Sequence, residues 1–163
     1  MRRGQPQVQP LELLRVLREH DVDFLVIGGV AVAAHGYLRA TKDVDIIPRP
    51  SRENLDRLAA ALETLDATQD LGDFRAEEMP LELGLEGLMQ GGNWFLSTRY
   101  GRLDVMQAVE GARSYEQLLE AAIVKGGIAY VGLDDLIAMK YAAGRDLDHI
   151  DIRALEEARG GAS

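Results

Sequence analysis

The chain has 163 residues, 47% hydrophobic and 28% charged, enough to close one core and too apolar for a disordered segment. It contains no cysteine, which excludes disulfides, thiolate catalysis and cysteine-ligated zinc. Eighteen basic residues against 27 acidic give a net charge of −9, which opposes a broad electrostatic grip on nucleic acid but leaves room for a local basic groove.

Along the chain, Leu11, Leu13, Leu14 and Leu17 recur at helical spacing, so Pro10–Glu19 is expected to form an amphipathic helix. Phe24-Leu25-Val26-Ile27 is a short apolar run ended by Gly28-Gly29, the pattern of a buried strand. The alanine- and valine-rich Val30–His35 suits a helix packed close to a sheet, with Gly36 ending it. Val44–Ile47 reads as a second strand, stopped by Pro48 and Pro50. Ser51 is placed to cap a helix whose apolar stripe is Leu55, Leu58, Ala59, Leu62 and Leu65. From Asp66 to Gly92 the periodicity breaks down and an irregular segment is expected.

Trp94–Thr98 and Arg102–Met106 flank Arg99-Tyr100-Gly101, a hairpin pattern. Ser114–Ala122 reads as a helix and Ile128–Val131 as a short strand. Asp134 or Asp135 is expected to cap a helix over Leu136–Ala143 that ends at Gly144, and a last helix covers Leu147–Ala158. The order is mixed α and β with a helical C-terminal third. No apolar run reaches the ~18 residues of a membrane span, and Met1–Pro6 has no apolar stretch of the signal-peptide kind. The expectation is one cytoplasmic domain over 1–163, with a core at about 11–110 and a helical segment at about 133–159.

Chemistry concentrates in three places. Alternation along a strand puts Asp43 and Asp45 on one face and Val44 and Ile46 on the other, so the strand itself fixes two carboxylates. Such hard oxygen donors suit Mg²⁺, and the alternative is a pair of solvated acids at a strand end. Gly28-Gly29 either forms a tight turn or leaves bare backbone for a phosphate at a helix start. Asp104, between Leu103 and Val105, needs a partner because an isolated buried carboxylate is costly. It would either pair with Arg102 or Arg99, or converge with Asp43 and Asp45 in a site with room for two metals. Arg39, Lys42, Arg49, Arg52 and Arg57 lie near the aspartate pair in sequence. Trp94, Phe95 and Tyr100 are expected to pack core and hairpin, and the three histidines have no metal-ligand spacing.

The combination of Phe24–Gly29, the helix with Gly36, Arg39-Ala40-Thr41-Lys42-Asp43-Val44-Asp45-Ile46 and Leu103-Asp104-Val105 resembles the nucleotidyltransferase superfamily that includes DNA polymerase β. The run from Gly132 to Asp151, with Lys140, Asp148 and Asp151, looks like the AbiEii-type branch of toxin–antitoxin systems. The resemblance covers about Val22–Val105 and Val131–Leu155. It implies an α+β nucleotidyltransferase fold, a small mixed sheet flanked by helices. It further implies that Asp43, Asp45 and Asp104 are the catalytic and Mg²⁺-ligating residues, and that Gly28, Gly29, Thr41 and Lys140 bind the nucleotide. Asp148 or Asp151 would orient neighbouring groups in the last helix. Gly29 stands where the family often has serine, which removes one hydroxyl from the phosphate site.

The activity so implied is Mg²⁺-dependent transfer of a nucleoside monophosphate from an NTP to a hydroxyl on RNA, protein or a small molecule, with a toxin or antitoxin partner protein in some settings. The alternative is a catalytically inactive antitoxin or partner-binding module on the same fold. A third reading, an acidic scaffold with incidental motifs, requires Asp43 and Asp104 to lie far apart.

Overall fold

The computed structural model describes residues 7–70 and 81–161. A single mixed sheet runs in the order β3-β4-β5-β2-β1-β7-β6. Its strands are β1 (Phe24–Ile27), β2 (Asp43–Pro48), β3 (Thr68–Gln69), β4 (Asn93–Thr98), β5 (Gly101–Met106), β6 (Ile123–Lys125) and β7 (Ile128–Tyr130). The helices are α1 (Pro10–Glu19), α2 (Gly28–Ala34), α3 (Arg52–Thr64), α4 (Leu85–Met89), α5 (Tyr115–Ala121), α6 (Leu133–Ala143) and α7 (Asp146–Gly161).

β1 is buried along its whole length because it lies between β2 and β7 with helices against it, which is why it is wholly apolar. β2 runs antiparallel to β1 and parallel to β5. Its inward Val44 and Ile46, with Leu103 and Val105 of β5 and Trp94 and Leu96 of β4, meet α1 and α3 in the main core. Leu13, Leu17, Leu58 and Leu62 supply the helical side of that core and are essentially inaccessible. Among the described residues no helix is long and apolar enough to cross a membrane.

Several local expectations match. Ser51 caps α3, its side chain accepting from the Asn54 backbone N–H at 3.3 Å. The helix expected over Ser114–Ala122 forms as α5, with Ser114 outside it as the N-cap in a reciprocal capping box with Gln117. Gly144 takes the left-handed conformation that ends α6.

Others are corrected. Helix α2 starts at Gly28, so the glycine pair is its first turn and not a loop before it. Pro48 lies inside β2, paired opposite Phe24, because it sits at the strand's last position, where the sheet's pattern tolerates a missing donor. Helix α6 is capped by Gly132, not by Asp134 or Asp135; those acids are drawn into ion pairs with Arg159 and Arg113. Strand β6, whose residues carry no clear alternation, was not expected; it forms a hairpin with β7. In the segment expected to be irregular, β3 pairs with β4 and α4 packs beside α3. Residues 71–80 of that segment lie outside the described residues.

Candidate active site

The sheet register assembles the site. Asp45 of β2 lies opposite Asp104 of β5, and Asp43 lies opposite Arg102. All three aspartates project from the face opposite the main core, and each offers an oxygen within 4.8 Å of the others. The separated arrangement required of a mere acidic scaffold is absent, since Asp43 and Asp104 are neighbours across one strand pair.

Three carboxylates this close repel one another, and burial adds to the cost of charging them. Burial, followed by the charges of Asp43 and Asp104, pushes the Asp45 carboxyl up to about 8. Burial likewise raises Asp104, although the Arg102 guanidinium, with Nε 3.1 Å from Asp104 Oδ1, works against the rise. Asp104 is thus ion-paired to Arg102 and at the same time part of the acidic cluster. Arg99, the other partner considered, pairs with Asp66 instead. A cluster of hard oxygens whose members resist ionising together fits a divalent cation, which would supply the missing positive charge.

Gly28 closes on this cluster. Its φ is +67°, and a Cβ there would stand 2.1 Å from Asp45 Oδ2, so only glycine lets the start of α2 approach the carboxylate. A Cβ on Gly29 would meet Thr41 Oγ1 at 2.9 Å and Arg39 Nη2 at 3.2 Å. Thr41 Oγ1 donates to the Asp43 carbonyl at 2.9 Å, which fixes the end of the loop before β2 where it lies against Gly29 of α2. The cavity over these groups has a volume of about 440 Å³. Gly28, Gly29, Thr41, Asp43, Asp45, Asp104 and Lys140 all line it.

Lys140 is only 7% exposed, unlike a solvated helix lysine. Its Nζ lies 3.2 Å from Asp148 Oδ1 and 3.0 Å from Asp151 Oδ2. Asp151, fully buried, also receives Arg39 in bidentate fashion, with both bonds at 2.9 Å. Asp148 accepts from Arg145 Nε at 2.7 Å. Burial alone would raise Asp148, but Arg145 and Lys140 hold it below the usual carboxylate range. Both aspartates of α7 thus orient cations: Asp151 serves Arg39 and Lys140, and Asp148 serves Lys140 and Arg145. The network also fastens α7 to α6 and to the loop before β2.

The five cations near the aspartate pair in sequence separate in space. Arg39 and Lys42 line the cavity. Arg49 instead pairs with Asp23 and Glu116 and lies 4.7 Å from the Tyr115 ring centroid, Arg52 pairs with Glu86, and Arg57 bonds the Asp21 carbonyl. They diverge because β2 carries the chain from one end of the sheet to the other between Lys42 and Arg49.

Phe95 is also corrected. Trp94 is core, its indole N–H donating to Gln107 Oε1, but Phe95 is 42% exposed and lines the cavity. Its parity with Asn93 and Ser97, and not with Trp94 and Leu96, was the available signal. Met106, Val109, Leu136, Met139 and Leu147, apolar wall residues with no motif to mark them, were not singled out by the sequence.

The same fold occurs in solved structures at low sequence identity. The lincomycin-bound lincosamide antibiotic adenylyltransferase LnuA shares the fold with a TM-score of 0.63 and 16% identity, over 93% of this chain and 99% of that one. The antibiotic-resistance factor ANT(2'')-Ia, in a complex with adenylyl-2''-tobramycin, gives a TM-score of 0.55 and 16% identity over 93% of each chain. Its solution structure gives 0.56 and 17%, over 94% of this chain and 82% of that one. A search of curated protein sequences gives no match. The model of the family described as "Nucleotidyltransferase of unknown function (DUF6036)" matches residues 10–157, and the chain belongs to that family.

Proposed function

We propose that the protein transfers a nucleoside monophosphate from a metal-bound NTP to an acceptor hydroxyl. The observation that carries this reading is the convergence of Asp43, Asp45 and Asp104 on the floor of a cavity whose rim is the bare backbone of Gly28 and Gly29. Asp43, Asp45 and Asp104 would hold one or two Mg²⁺ ions, which when bound neutralise the triphosphate and stabilise charge developing on the transferred phosphoryl group.

The chain's own groups do the rest by position and charge. Backbone N–H groups at Gly28 and Gly29 would take the β- and γ-phosphates, where a side chain would block approach. Lys140 and Arg39, already fixed by Asp148 and Asp151, present positive charge without first having to be ordered. Thr41 holds the loop that brings Arg39 there. The acceptor oxygen forms a bond to the α-phosphorus, the bond from that phosphorus to the bridging oxygen breaks, and pyrophosphate leaves with the electron pair. The hydroxyl proton passes to a carboxylate, and Asp104 is the one at the side away from the glycines.

The AbiEii-type kinship and a toxin or antitoxin partner rest on the Gly132–Asp151 run alone, and the matched family model is a different one. Calorimetric titration with Mg²⁺ and each NTP tests the proposal, with Asp43→Asn/Asp45→Asn as control. Binding by the wild type that the double variant lacks is expected. Equal binding by both, or by neither, leaves only the inactive module.

A further inference from the structure

The sheet register sets a line of groups across the site. Gly28 abuts Asp45, Asp45 lies opposite Asp104, and Asp104 lies opposite Phe95 of β4. Strands are spaced about 4.8 Å apart, so Phe95 sits one strand beyond Asp104, on the side away from the glycines. In phosphoryl transfer the attacking and leaving oxygens are roughly in line through phosphorus. If the proposed reaction holds, with pyrophosphate leaving at Gly28 and Gly29, the acceptor must arrive from the Phe95 side.

The chemistry of that side is distinctive. The cations that line the cavity are Arg39, Lys42, Lys140 and Arg145. They belong to α6, to the turn into α7 and to the loop after α2, and α6 packs on α2. Arg39, Lys140 and Arg145 are thereby held on the glycine side by Asp148 and Asp151 of α7, and Lys42 stands just before β2, between the glycines and β5. The opposite rim is Phe95, Met106 and Val109, which line the cavity without a charge among them. Met106 and Val109 also line an adjoining groove of about 320 Å³, so the apolar surface continues outward. Arg102 lies 5.6 Å from the Phe95 ring centroid and is engaged by Asp104 at 3.1 Å and Asp70 at 3.6 Å. Among the described residues nothing on this rim is built to neutralise a phosphate backbone.

We infer that the acceptor is a small hydroxylated ring compound that enters from the β4 side and lies with its apolar face on Phe95. An exposed aromatic ring in the middle of a strand, directly across from Asp104 of the acidic cluster, offers a stacking surface with the hydroxyl aimed at the reacting phosphorus. For a polyanionic acceptor the counter-charge beside Phe95 is Arg102, which Asp104 and Asp70 already engage.

The test uses the full chain with Mg²⁺ and each α-labelled NTP. The small-molecule filtrate, the RNA and the protein of a cell extract are supplied separately as acceptors. Label is expected on a compound of the filtrate. Phe95→Ala lowers that transfer by roughly tenfold or more, as lost ring stacking does. Phe95→Tyr, which keeps the ring, restores it and excludes a folding defect. Affinity for an α,β-methylene NTP analogue stays within about twofold of wild type in both variants, since 1.4 kcal/mol would be tenfold. Label only on RNA or protein, no label at all with the analogue still bound, or unchanged transfer by Phe95→Ala overturns the inference and leaves nucleotide binding standing. Weakened analogue binding by Phe95→Ala also overturns it, because Phe95 then stacks on the nucleotide base. A wild type that fails to bind the analogue refutes the transferase reading itself, and this inference with it.

Discussion

Replacing Asp45 by asparagine should stabilise the metal-free protein while removing its response to metal. The Asp45 carboxyl has its pKa pushed up to about 8 from 3.8, by burial first and then by Asp43 and Asp104. A carboxyl raised on folding binds its proton more tightly in the native state, so its contribution to stability is complete below about pH 4. That contribution is lost progressively as pH climbs to about 8, each unit costing about 1.4 kcal/mol. Between pH 5 and pH 8 this amounts to about 4 kcal/mol, shared in part with the neighbouring Asp104 carboxyl. Asparagine has nothing to ionise, and its amide can donate toward Asp104 as a protonated Asp45 does.

In chelator, thermal melts from pH 5 to pH 8 should therefore show Tm falling more steeply for wild type than for Asp45→Asn. The gap at pH 8 should be on the order of 10 °C for a domain of this size. Added Mg²⁺ should raise Tm and flatten the pH dependence in wild type only, because metal binding needs the deprotonated carboxylate. Parallel pH slopes for the two proteins, or a variant less stable at pH 8 in chelator, would refute the electrostatic account of this cluster.

Gly28→Ala places a methyl 2.1 Å from Asp45 Oδ2 at a φ of +67°. Unfolding in urea should show a loss of about 1–3 kcal/mol, and nucleotide transfer should drop by about 100-fold as the carboxylate is displaced. Asp151→Asn removes the fully buried charge that Arg39 and Lys140 share. It should cost roughly 3–5 kcal/mol by the same measurement, and a loss below 1 kcal/mol would show that the cations find other partners. Asn54→Ala tests a purely structural group. The Asn54 side chain bonds the Asp23 N–H at 2.7 Å, the Asp23 carbonyl at 2.8 Å and the Arg49 carbonyl at 3.0 Å, with no exposed surface. Its removal should destabilise by about 2–4 kcal/mol with the turnover of the folded protein unchanged.

The sequence by itself determined what depends on local period and chain stiffness. The bounds of α1 and β1, the Ser51 cap, the hairpin of β4 and β5, and the shared face of Asp43 and Asp45 all follow from spacing within a few residues. Only the tertiary structure decided which strands are neighbours. The placement of β5 beside β2 puts Asp104 against Asp45, and β4 beyond it puts Phe95 at the rim, because strand order is fixed by packing between residues far apart in the chain. The same holds for Lys140. Its spacing from Asp148 and Asp151 is visible in the chain, yet only the folding of α7 back on α6 buries all three and makes them one network with Arg39. Charges near one another in sequence, such as Arg39 and Arg49, part company because a strand of six residues is long enough to cross the sheet.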